Sequence, residues 1–211
     1  STYELAFLPK YAGVDLRIVR KAEDIHNREK FEDFKKLLFS TIGEYIYTTK
    51  DKDLAAVIGG LLREKGFSIA VSESLTGGLV GDKLTNVPGS SDYFMGGVVA
   101  YSNTAKHELL GVLEKSLEEY GAVSDPVAGE MAAGVRRKFN TSIGLSTTGI
   151  AGPTGATETK PVGLVFIGLA FEEKVMAKKF QFGPDRFVNK QRSAQAALDL
   201  VRRAILGLPV K

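Results

Sequence analysis

Strand-length apolar runs alternate with helix-length amphipathic stretches through the last three quarters of the chain, and this alternation limits the fold more than any other feature. Asp53 is placed to cap a helix over 54–65, where Leu54, Val57, Ile58, Leu61 and Leu62 share one face and Gly66 supplies the stop. An apolar run at 68–71 follows, then a glycine-containing turn, a helix to about Leu84 and a strand near 97–101. Ser124 is placed as the cap of a further helix, with Asp125 and Pro126 in its first turn. Strands are predicted at 142–147, 163–171 and 175–182, and a last helix from about Phe187 to Leu206. Strands separated by helices predict a layered α/β sheet, in which ligands sit at the strand ends.

The first 50 residues have a different texture. Short apolar runs at 5–8 and 14–19 predict two strands, a charged amphipathic stretch over 26–39 predicts a helix, and residues 44–48 could add a strand. The polar run 48–53 is a candidate linker to the rest.

At 211 residues and 44% hydrophobic content, the chain can bury one substantial core and a small appendage. Its 28 basic and 25 acidic side chains nearly cancel, so charge gives no reason to expect a nucleic-acid or membrane partner. The absence of cysteine removes disulfides, thiolate nucleophiles and zinc–thiolate sites, and fits a reducing cytoplasm. No run approaches the roughly 20 apolar residues of a membrane span.

Three segments could carry chemistry. Ser72-Glu73-Ser74-Leu75-Thr76-Gly77-Gly78 lies between a buried strand and a helix, so Ser74 would project its hydroxyl at the sheet edge while Gly77 and Gly78 expose N–H groups suited to an oxyanion. On this segment alone, serines that merely cap the helix and glycines that merely allow packing explain it as well. In the second segment, Tyr101-Ser102-Asn103-Thr104-Ala105-Lys106, the lysine is the best-placed base for a serine, because His26 lies in the appendage and His107 sits beside Glu108. A lysine serves only when neutral, which demands burial or a nearby cation; an exposed helical lysine is the competing reading. A carboxylate beside that amine would raise its pKa, so Glu73 is assigned to substrate or structural contacts. In the third segment, residues 147–155, Thr148, Gly149 and Gly152 could hold a phosphate or ribose, and Lys160 and Arg186 could add charge, although glycine-rich loops are often only turns.

Taken together, these segments, with Gly96-Gly97-Val98-Val99-Ala100, Gly121-Ala122-Val123-Ser124 and Lys160-Pro161-Val162-Gly163, closely resemble the C-terminal domain of the competence/damage-inducible protein CinA over about residues 54 to 206. That domain also exists alone as a nicotinamide mononucleotide deamidase. The resemblance implies a three-layer αβα domain with a mixed sheet over 51–211. It also implies hydrolysis of nicotinamide mononucleotide to nicotinic acid mononucleotide and ammonia, without metal or cofactor, in pyridine nucleotide salvage. The Ser-Lys dyad of the family falls on Ser74 and Lys106, and Tyr101 also matches. Glu73, Thr76, Gly77, Gly78, Ser102, Asn103, Thr148, Gly149, Gly152 and Arg186 are the expected substrate contacts. Residues 1–50 resemble the small α+β KH-like linker domain of full-length CinA, without the G-x-x-G loop that clamps nucleic acid. The chain thus resembles the C-terminal part of a longer protein, a natural short form being the alternative, and the family inclines to homodimers. Pro184, inserted in a usual Gly-Asp-Arg, is expected to disturb Arg186. The competing function is a non-catalytic nucleotide-binding module in a competence or DNA-damage response.

Overall fold

The computed structural model describes residues 3–11, 13–20 and 28–210, in two compact units that meet between Lys52 and Asp53. In the first unit β1 (Tyr3–Lys10) and β2 (Gly13–Arg20) form an antiparallel hairpin, and α1 covers Arg28–Ile42. Tyr3 is buried against the Phe34 ring at 5.2 Å and the Phe31 ring at 6.1 Å. The predicted start of this helix at His26 lies outside the described residues. The strand expected at 44–48 does not form. Gly43–Tyr45 is a single 3-10 turn closed by the Ile46 N–H on the Gly43 carbonyl, and no described strand pairs with the segment.

The second unit opens with α2 (Leu54–Lys65), where the Asp53 carboxylate accepts the Ala56 N–H and Gly66 turns the chain at φ 65°. Its sheet has the order β4-β3-β5-β6-β7. The strands β3 (Ile69–Glu73), β4 (Phe94–Val99) and β5 (Ile143–Gly149) run parallel, while β6 (Leu164–Phe171) and β7 (Lys174–Gln181) continue antiparallel. Helix α6 (Asp125–Phe139) lies on one face; α3 (Leu79–Thr85) and α7 (Arg186–Ile205) lie with α2 on the other, which makes three layers. Any side chain at Gly144 or Gly168 would run into the backbone carbonyl of Ala132 or Ala128, so these two glycines let α6 settle directly on the sheet. Met131, Val127 and Val135 then close over Ala70, Ala100 and Leu110 to form the core of that face.

Strand limits differ from expectation where it matters for the site. β3 extends to Glu73 and β5 to Gly149, so Glu73, Thr148 and Gly149 are strand residues fixed by the ladder. β4 ends at Val99, which leaves Tyr101 in the connection to α4 (Asn103–Leu110). That helix and α5 (Glu114–Glu119) are too short to show a periodic pattern in the sequence. Among the described residues no helix is long and apolar enough to cross a membrane.

Candidate active site

The parallel strands end together, and Ser74 is the first residue beyond β3. Its N–H is held by the Thr147 carbonyl of β5 at 2.9 Å, and its own carbonyl accepts the Gly77 N–H at 3.1 Å. The chain then reverses through Gly77 and Gly78 at φ 63° and 97°, a conformation that favours glycine. Beneath the turn, the buried Glu73 carboxylate accepts the N–H groups of Gly78, Val80 and Gly81 at 2.8–3.0 Å, capping α3 from the strand before it. The Thr76 and Thr147 hydroxyls pair at 2.7 Å and lock the same turn to β5.

Lys106 reaches Ser74 from the next crossover. The Ser102 hydroxyl caps α4 by accepting the Ala105 N–H at 3.0 Å, which orients the helix so that its first turn buries Lys106 to 1% exposure. Its Nζ lies 3.2 Å from Ser74 Oγ, 2.9 Å from the Ala100 carbonyl and 3.3 Å from the Tyr101 carbonyl. Burial lowers its pKa from 10.5 to about 8, since the apolar surroundings disfavour the ammonium. A neutral amine has two N–H groups and one lone pair; with the hydrogens on the two carbonyls, the lone pair faces the serine hydroxyl. His107 points elsewhere, its Nδ1 against the Val112 carbonyl at 2.8 Å.

Several expected contacts are spent on structure. The carboxylate of Glu73 accepts three backbone N–H groups and so caps α3, the structural one of the two roles open to it. The N–H groups of Gly77 and Gly78 already donate to Ser74 O and Glu73 Oε2, which removes them as oxyanion donors in this geometry. The hydroxyl of Thr76 is buried on Thr147, and that of Thr148 donates to the Ala122 carbonyl at 2.7 Å. Gly149 is needed for packing, because a Cβ there would meet the Leu164 carbonyl, and Gly152 precedes a cis proline at φ 88°. Lys160 is committed to the Tyr120 carbonyl. Asn103 is exposed on the first turn of α4.

Arg186 opens α7 two residues after Pro184. Asp185 caps α7 by accepting the Val188 N–H, and the guanidinium donates to the Gly152 carbonyl at 2.9 Å and to the Tyr101 hydroxyl at 3.3 Å. Tyr101 therefore faces two ways: its carbonyl holds the lysine while its exposed ring and hydroxyl meet Arg186. Lys190, which no motif in the sequence marks, brings its Nζ within 3.7 Å of where a Cβ on Gly77 would stand. The four-residue spacing from Arg186 on one helix was the available signal. Among the described residues no group of three His, Cys, Asp or Glu side chains could hold a metal ion.

A serine and a buried lysine in hydrogen-bond contact beyond parallel strands coincide with a family match, since residues 51–205 fit the description CinA C-terminal domain. The chain belongs to the CinA family. A CinA-like protein of Chloroherpeton thalassium is 48% identical over 206 residues, covering 95% of this chain and 49% of its own. A putative competence-damage inducible protein of Thermoanaerobacter pseudethanolicus is 47% identical over 198 residues, covering 93% and 48%. The chain thus spans about half the length of these CinA relatives. Among solved structures, the competence/damage inducible protein CihA of Agrobacterium tumefaciens superposes with a TM-score of 0.70 at 34% identity, over 72% of this chain and 93% of its own. The CinA fold is therefore carried by the second unit.

Proposed function

We propose that this CinA domain is an amidohydrolase that converts nicotinamide mononucleotide to nicotinic acid mononucleotide and ammonia through a Ser74–Lys106 dyad. The observation that carries the reading is the 3.2 Å contact between Lys106 Nζ and Ser74 Oγ, made by an amine whose pKa burial lowers to about 8. Neutral Lys106 takes the hydroxyl proton as Ser74 Oγ bonds to the carboxamide carbon. The pyridinium ring of the substrate withdraws electrons from that carbon, and its positive charge further favours the uncharged amine. The resulting ammonium then gives its proton to the departing nitrogen, and ammonia leaves an ester on Ser74. Water, deprotonated by the same amine, attacks the ester; the acid is released and the serine regains its proton. With Gly77 and Gly78 spent, the N–H groups of Leu75 and Thr76, which have no acceptor among the described residues, are the donors this turn still offers a tetrahedral oxyanion.

Ammonia release from nicotinamide mononucleotide, nicotinamide riboside and nicotinamide tests the reading. Preferred turnover of the mononucleotide, lost in Ser74→Ala, supports it. Binding of the mononucleotide without ammonia release would instead support a nucleotide-sensing module, and turnover of other amides or esters alone would make it a different serine–lysine hydrolase.

A further inference from the structure

We propose that Lys190 determines specificity at this site, its ammonium and the Arg186 guanidinium together seating a phosphomonoester, the 5′-phosphate of the mononucleotide. The identity of the ligand rests on the amidase reading above; the seat itself rests on α7. Asp185 caps that helix, and the fully buried Asn189 ties it to the Ala151 and Gly183 carbonyls at 2.9 Å each, so its first turns are fixed against the loop that follows β5. Arg186 and Lys190, four residues apart, project from one face of it. The Lys190 ammonium stands over Gly77, 3.7 Å from its Cβ position, and Gly77 closes the turn that Ser74 opens.

Beside the serine turn, Lys190 is uncommitted. Lys106 is held by two carbonyls, Lys160 by one, and the nearest turn carboxylate, Glu73, is filled by three backbone N–H groups. Lys190 is half-buried and makes no hydrogen bond or ion pair among the described residues. A side-chain ammonium with no acceptor from the protein is free to meet an anion brought beside it. Arg186 uses two of its five N–H groups, on Gly152 O and Tyr101 Oη, which leaves three for phosphate oxygens. A phosphomonoester supplies both the charge for a lysine and several oxygens for a guanidinium, and it is the anionic group of a nicotinamide mononucleotide. The phosphate role that the sequence suggested for Thr148 passes to this pair, because the Thr148 hydroxyl is already donated to Ala122.

Calorimetric titration of ribose 5-phosphate into the Ser74→Ala protein separates the seat from the chemistry. Lys190→Ala is expected to weaken binding about tenfold or more, Lys190→Arg to keep it within about threefold, and free ribose not to bind. Equal affinity in Lys190→Ala, or no measurable binding of ribose 5-phosphate to the Ser74→Ala parent, overturns the proposal. With Ser74 intact, Lys190→Ala should raise KM for the mononucleotide about tenfold while kcat stays within about twofold and riboside turnover is unchanged; a fall in kcat alone overturns it. Lys190-dependent binding without ammonia release from any substrate would sink the amidase reading and leave the phosphate seat standing.

Discussion

In the parallel half of the sheet, β4-β3-β5, each strand ends beside the dyad: β3 runs into Ser74, β4 leads to Tyr101 and Lys106, and β5 supplies the Thr147 carbonyl and hydroxyl that hold the serine turn. The antiparallel half, β6-β7, sends no side chain to the dyad, yet β7 ends at the same edge, because Gln181 pairs with Leu164 where β6 begins. From there the chain enters α7 and brings Arg186 and Lys190 to the mouth of the site. A parallel strand must cross over through a turn and a helix, which creates a sharp turn with N–H groups at its C-terminal end. The hairpin needs no crossover between its strands and contributes only through the helix after it. On the proposed function the two halves divide into chemistry and recognition, and substitutions in them should separate kcat from KM.

The largest effect should come from the dyad. Ser74→Ala and Lys106→Ala are each expected to lower kcat by about 10³-fold or more, since a nucleophile and its base act as one unit. Circular dichroism of Ser74→Ala should stay native. Activity within tenfold of the parent in either variant would remove the parallel half from the chemistry.

The next effect is on pH. The base works as the free amine, so kcat/KM should rise about tenfold per pH unit below about 8 and level off above it, following the lowered pKa of Lys106. The same group makes a stability prediction. Between about pH 8 and its ordinary pKa of 10.5, the unfolded chain keeps a proton that the folded protein has lost, so folding becomes more favourable as pH rises through that window. Relative to Lys106→Met, the parent should gain about 3 kcal/mol across it, read from denaturant melts at successive pH values. A constant difference would mean that the lysine is not desolvated.

Glu73 sharpens the comparison from below the turn. Glu73→Gln weakens three charge-assisted bonds to the start of α3, which should cost about 2–3 kcal/mol of stability. Because the side chain sits one residue before the nucleophile, kcat should fall while KM for the mononucleotide changes little. A KM effect with native kcat would return Glu73 to the substrate contacts.

This division of labour was only partly legible in the sequence. The alternation of elements exposed the layered sheet, and the lack of a usable histidine pointed to Lys106, whose partner Ser74 stood in a recognisable strand-to-helix turn. The fate of individual donors was not legible. Glu73, Thr76, Gly78 and Thr148 look like site residues because they are polar and lie at a strand end; only the register of β3 against β5 and the path of α3 decide that backbone or a neighbouring hydroxyl uses them first. Lys190 was hidden for the opposite reason. It lies in a plain amphipathic helix with no motif around it, and its proximity to Gly77 comes from packing across more than a hundred residues of chain. The segment at 44–48 shows a third limit, since its strand pattern gives way to a turn and no described strand pairs with it.

The smallest effect should mark the far end of the antiparallel half. Val175 is 54% exposed on β7, one residue from the end of the strand that turns through Glu172 and Glu173, at the edge of the sheet opposite Ser74. Val175→Thr keeps the β-branched shape that a strand prefers and replaces a methyl group at the surface, so stability should change by no more than about 0.5 kcal/mol. Both kcat and KM should stay within about twofold of the parent. A larger loss in either would mean that the hairpin, and not only the helix after it, feeds the site, and the separation of chemistry from recognition would have to be redrawn around β7 as a whole.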